Sequence, residues 1–152
     1  MELEKHLSKI KARTAAAPTL VVPNFSGKWK NELGSTVTIG QNTIYVPVPN
    51  PLQPLGFELQ TLAGTYHSTV SLDGGPAWGP LSGFVAGNFI AFTVNWAGLD
   101  SLTAWEGWAT AWDGSGNPTA FTANWQLVYS EAEGAFNPDM VMTGKDTFAK
   151  VE

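Results

Sequence analysis

Phe121-Thr122-Ala123-Asn124-Trp125-Gln126-Leu127-Val128-Tyr129 is the stretch on which the fold turns. Phe121, Ala123, Trp125, Leu127 and Tyr129 fall on one side of an extended chain, and Thr122, Asn124 and Gln126 on the other. That two-residue period belongs to a strand with one buried face. The large side chains mark the inward face.

The same alternation recurs on either side. Ile90, Phe92, Val94 and Trp96 share a face, as do Thr103 and Trp105, so at least three Trp side chains converge on one interior. From Gly27 onward the sequence breaks into short runs separated by Gly, Pro, Asn and Asp, which predicts strands over 27–32, 35–46, 57–69, 81–86, 89–96, 102–112, 119–129 and 140–149. The connections are mostly short: Leu33-Gly34, the hairpin signal Gly87-Asn88, and a Gly-rich turn over 113–118. Sequential strands joined this way pair with their neighbours, and a sheet of eight such strands removes its exposed edges by closing on itself. The expected fold is therefore all-β, an eight-stranded antiparallel up-and-down barrel.

Two connections differ. Residues 71–80 carry Gly74, Gly75 and two prolines, enough chain to fold over a barrel mouth as a lid or to run as a passive surface loop. Residues 47–54 hold four prolines, each lacking a ladder donor, and read as a protruding loop.

Composition agrees. At 152 residues the chain fits one domain. Seven Trp and sixteen Gly against 14% charged residues favour strands and turns over amphipathic helices. Without cysteine, no disulfide, thiolate metal site or cysteine nucleophile is available. No apolar run reaches the roughly 18 residues of a membrane-spanning helix. The net charge is −5, yet Lys5, Lys9, Lys11 and Arg13 outweigh Glu2 and Glu4 at the N-terminus, so the body is more acidic than the whole and lacks the basic stripe that phosphate contacts need. Residues 1–23 read as an N-terminal arm, and 24–152 as the barrel domain. In the arm, Leu3, Leu7 and Ile10 stand at helical spacing, consistent with a short amphipathic helix followed by linker, a disordered arm, or a partner-binding helix. No continuous apolar stretch follows its charges, so it does not read as a secretory signal.

Taken in order, the strands carry a set of motifs. Gly27-Lys28-Trp29-Lys30-Asn31-Glu32-Leu33-Gly34-Ser35-Thr36 is followed by Gly64-Thr65-Tyr66-His67-Ser68-Thr69-Val70 and Phe92-Thr93-Val94-Asn95-Trp96. Then come Ser101-Leu102-Thr103-Ala104-Trp105-Glu106-Gly107, Asn124-Trp125-Gln126-Leu127 and Gly144-Lys145-Asp146-Thr147-Phe148. Each is common alone, but six in register from Gly27 to Val151 resemble the avidin and streptavidin family. Streptavidin is itself an eight-stranded barrel whose interior holds one small ligand.

The resemblance implies non-catalytic, high-affinity binding of biotin in the open end of the barrel, as a bound ligand and not a cofactor, with vitamin sequestration as a role. It implies that Asn31, Ser35 and Tyr66 donate to the ureido oxygen, and that Ser68 and Asp146 accept from the ureido N–H groups. It places Thr103 against the thioether sulfur and Ser101 at the valerate carboxylate. Trp96, Trp105 and Trp125, with Leu33, Val70 and Leu127, form the apolar wall. Each position has an ordinary structural role open to it as well. Asn31 and Ser35 flank a tight turn, Tyr66 and Thr103 are common strand residues, and Trp rings fill cores. Facing an empty interior, Asn31, Ser68 and Asp146 are expected to be poorly paired, at a cost of roughly 1–3 kcal/mol each.

The pattern departs from the family in places. Where tetrameric members carry a Trp that closes a neighbour's site, this chain has Pro138, with Phe136 the nearest aromatic. Asp73, in the connection after the third strand, stands near the expected position of the ligand carboxylate, where like charge weakens binding of free biotin. The resemblance implies a homo-oligomer, dimer or tetramer, with outward Val128 or Trp108 at an interface, and a secreted protein, although no signal peptide is evident.

Other functions find less support. The two histidines are His6, in the arm, and His67, which alternation places outside; neither assembles a catalytic or metal-ligating set. Asp113-Gly114-Ser115-Gly116-Asn117 has a faint likeness to a cation loop but reads better as a hairpin turn. A carrier for another small polar-headed ligand and a non-binding barrel filled by its own tryptophans remain the alternatives.

Overall fold

Along β6 (Ser101–Trp112) every second residue from Ser101 to Ala109 is buried and every residue between is exposed, as the two-residue period demands. The computed structural model describes residues 2–15, 22–47, 57–69, 75–130 and 140–151. The other strands are β1 (Gly27–Asn31), β2 (Thr36–Val46), β3 (Phe57–Ser68), β4 (Ala77–Ala86), β5 (Phe89–Trp96), β7 (Pro118–Tyr129) and β8 (Val141–Val151), with helix α1 (Glu2–Ala15) before them. Each strand pairs antiparallel with the next, and β1 pairs with β8, so the sheet closes in sequence order.

Seven strands lie within a residue or two of expectation. The exception is β4, predicted to begin at Leu81 but beginning at Ala77. Pro80 makes the residues before Leu81 look like loop, yet it pairs with Thr65 of β3, and the β4–β5 register begins only at Leu81. Pro80 thus stands where β4 has a neighbour on one side alone, an edge position that tolerates proline. The segment 71–80 is therefore strand from Ala77 onward, a correction to its reading as loop throughout. Val70 to Gly74, which include Asp73 and the first four residues of the expected lid, lie outside the described residues. So do most of the proline-rich segment, Phe136 and Pro138.

The interior is divided along the axis. At one end Phe25, Trp29, Phe121 and Phe148 are essentially without solvent exposure. Phe121 stacks on Phe148 at 4.5 Å, and Trp29 meets Phe121 edge-on at 4.9 Å. Phe25 is supplied by the segment just before β1: its carbonyl accepts the Trp29 indole N–H at 2.9 Å, and its own N–H donates to Gln41 Oε1 at 2.8 Å. This aromatic plug packs the barrel solid at that end. The opposite end holds a cavity, and most of the buried polar residues gather there.

Candidate ligand-binding site

The open end begins at the turn between β1 and β2. Gly34, with φ of 87°, takes the left-handed conformation that lets the chain reverse in so short a turn. Asn31 holds that turn from inside: its Oδ1 accepts from the Leu33 N–H at 3.1 Å and the Ser35 N–H at 2.8 Å. With Oδ1 committed to backbone, the Nδ2 group is left to face the interior, where it donates to Tyr66 Oη at 3.4 Å and hydrogen-bonds the Asp146 carboxylate. The turn thus converts an amide into an oriented donor.

Tyr66 arrives from β3, and its hydroxyl also bonds to Ser35. Burial, then the negative charge of Asp146, push the phenol well above its ordinary pKa, so it stays protonated and able to donate. Its ring stacks on Trp105 at 4.8 Å and meets Trp96 edge-on at 5.5 Å, while Phe92 also stacks on Trp105, at 5.2 Å. These contacts fix the hydroxyl by fixing the ring.

Asp146, on β8, is buried. Its Oδ2 accepts the Trp105 indole N–H at 3.1 Å and its Oδ1 accepts that of Trp125 at 3.2 Å. Burial is the main reason its pKa is raised above the ordinary carboxylate range; the Trp105 bond opposes that, and the nearby charge of Glu32 adds to it. The two indoles and Asn31 use three of the carboxylate's four acceptor sites and leave one for a ligand. On β6, Thr103 Oγ1 accepts the Trp96 indole N–H at 2.8 Å, leaving its own O–H to donate.

Asn31, Leu33, Ser35, Tyr66, Ser68, Trp96, Ser101, Thr103, Trp105, Trp125, Leu127 and Asp146 line one cavity of about 660 Å³. Twelve of the residues named from sequence are thereby brought together, and Val70 lies outside the described residues. One expectation fails: the polar groups are not orphaned in the ligand-free barrel. Among the described residues no buried side-chain nitrogen or oxygen lacks a partner, because the turn backbone and the indoles satisfy Asn31 and Asp146. The cavity is also lined by Thr69, Ala77, Gly98, Leu99, Asp100, Tyr129, Ser130 and Met142, which sequence reasoning did not assign to it. Tyr129 was legible from its inward register on β7, and Met142 follows from its pairing opposite Leu127; the others sit at strand ends and turns, where alternation gives no face. His67 stacks on Trp78 at 3.9 Å and is not among the lining residues.

Residues 57–151 match the model of the avidin family. Afifavidin of Afifella pfennigii is 30% identical over 146 residues, spanning 90% of this chain and 75% of its own length. Among solved structures, a rhizavidin–biotin complex is 27% identical with a TM-score of 0.59, covering 85% of this chain and 93% of that one. Xenavidin is similar at 27% identity and a TM-score of 0.59, covering 84% and 97%.

Proposed function

The chain belongs to the avidin family, and on that premise we propose that its cavity binds biotin and leaves it chemically unchanged. The observation that carries this reading is the gathering of several donors and one carboxylate acceptor in a single cavity walled by apolar rings. Asn31 Nδ2, Tyr66 Oη and Ser35 Oγ gather together, and the Asp146 carboxylate lies beside them, bonded to Asn31. A urea is the small group whose carbonyl wants several donors while its N–H wants an acceptor. The ureido oxygen takes the place now occupied by bonds among Asn31, Tyr66 and Ser35, and one ureido N–H donates to Asp146, whose indole bonds hold the carboxylate in place. Ser68 accepts from the other N–H.

Trp96, Trp105 and Trp125 with Leu33 and Leu127 enclose the bicyclic ring, Thr103 faces the sulfur, and Ser101 lies towards the valerate carboxylate. Val70, which the family pattern adds to that wall, lies outside the described residues. Donors already pinned by turn and stacking lose little freedom when they bind, so more of the contact energy survives as affinity. The tie of Asp146 to two indoles, and the engagement of His67 with Trp78 away from the cavity, support binding without reaction. The same premise supports a homo-oligomer, dimer or tetramer, with Trp108 and Val128, 41% and 38% exposed, on the faces available for association.

Tryptophan fluorescence on titration separates biotin from other cargo. Biotin is expected to shift the emission and saturate, whereas lipoic acid, which shares a sulfur ring and a valerate but has no urea, is expected to bind at least about 100-fold more weakly. Equal responses to the two would discard the urea reading and favour a carrier of apolar acids.

A further inference from the structure

We propose that Glu32, which lies outside the cavity, is a positioning residue that ties the turn carrying the donors to the strand carrying the acceptor. This rests on the reading of the cavity as a urea site. Glu32 follows Asn31 and precedes Leu33, both of which line the cavity, and Thr147 follows Asp146 directly. One carboxylate oxygen, Glu32 Oε2, accepts from the Thr147 N–H at 2.9 Å and from the Thr147 Oγ1 hydroxyl at 3.1 Å. The residue beside the amide donor is therefore clamped to the residue beside the carboxylate acceptor.

The ladder between β1 and β8 explains the position. It runs from Lys28 opposite Val151 to Asn31 opposite Phe148 and stops there. Beyond it the chain of β1 turns away, and the Thr147 N–H is the next donor facing the gap. The Glu32 side chain takes the place of the missing strand. It extends the pairing by one step at the level where the site's two polar halves meet. A carboxylate acceptor makes both bonds the stronger, charge-assisted kind.

Charge acts here as well as geometry. The carboxylate of Glu32 adds to burial in raising the proton affinity of Asp146 and of Tyr66. The groups acting on Asp146 from its surroundings are Glu32 and Asn31 from the turn, Tyr66 from β3, Trp105 from β6 and Trp125 from β7; Glu32 and Tyr66 are the titratable ones. Glu32 thus stiffens the geometry while moving the acid limit of the site upward.

Two variants separate these effects. Glu32→Ala removes both brace and charge; Glu32→Gln keeps an acceptor oxygen for the Thr147 N–H and removes the charge. In the ligand-free protein, amide hydrogen exchange at Leu33 and Ser35 is expected to quicken by about 10-fold or more in Glu32→Ala and by much less in Glu32→Gln. The acid midpoint of Trp105 and Trp125 fluorescence, which reports Asp146, is expected at lower pH in both. With biotin, Glu32→Ala is expected to dissociate about 10-fold faster, while Glu32→Gln holds neutral-pH affinity within about 2-fold. Unchanged exchange and an unchanged midpoint in Glu32→Ala overturn the proposal, as does a Gln variant indistinguishable from Ala in exchange. Absence of biotin binding in the parent protein refutes the reading of the cavity instead, and the ligand-free measurements still decide the role of Glu32.

Discussion

Asp146 matters more to the proposed site than any other single residue. A buried carboxylate is costly unless its lone pairs are answered, and here two indole N–H groups answer one on each oxygen. Replacing it with Ala removes the ligand's acceptor and leaves both indoles without that partner, so Asp146→Ala is expected to weaken biotin binding by roughly 10- to 100-fold, measured by titration calorimetry. Its raised pKa sets the direction of the pH dependence. A ureido N–H needs the ionised form, so affinity holds above the pKa of Asp146 and falls as pH drops through it. In the ligand-free fold the sign reverses: a carboxyl with raised folded pKa favours the native state more as pH falls, so Asp146 contributes less destabilisation in acid. Biotin affinity measured from pH 7 downward is expected to decline at a pH higher than an unperturbed aspartate would give; a profile flat into strong acid contradicts the role. The residue types at the site were legible because six motifs named them in order. What sequence did not reveal was that Asn31 and Asp146 satisfy themselves without ligand, since that depends on which indole reaches which oxygen.

At the scale of elements, β7 and β8 meet where Trp125 stands opposite Gly144. A Cβ at Gly144 would lie 2.3 Å from the Trp125 ring, so the glycine makes the room in which the indole lies down to reach Asp146. Gly144→Ala is expected to displace that ring, quicken biotin dissociation severalfold and shift the tryptophan emission of the ligand-free protein; unaltered emission would show that the strand absorbs the methyl elsewhere. The room needed by the indole is the physical reason for a glycine two residues before Asp146. Strand centres were readable from alternation, whereas strand ends were not: Pro80 concealed the first turn-side residues of β4, because a proline on an outward position interrupts the pattern without interrupting the strand.

Over the whole molecule, the barrel is solid at one end and hollow at the other. Phe25, invisible to a strand pattern because it precedes β1, completes the plug with Trp29, Phe121 and Phe148. Truncating it to Ala is expected to cost about 3–5 kcal/mol of stability in denaturant unfolding, with biotin affinity of the folded fraction little changed, since Phe25 packs on Trp29 and Phe121, neither of which lines the cavity. Equal losses in both would show that the plug transmits strain to the cavity. The most direct trial of the biotin site is calorimetric titration of the intact protein with biotin. A preformed urea pocket in every barrel predicts one saturable site per chain, tighter than micromolar at neutral pH; no heat of binding with millimolar biotin present would contradict it.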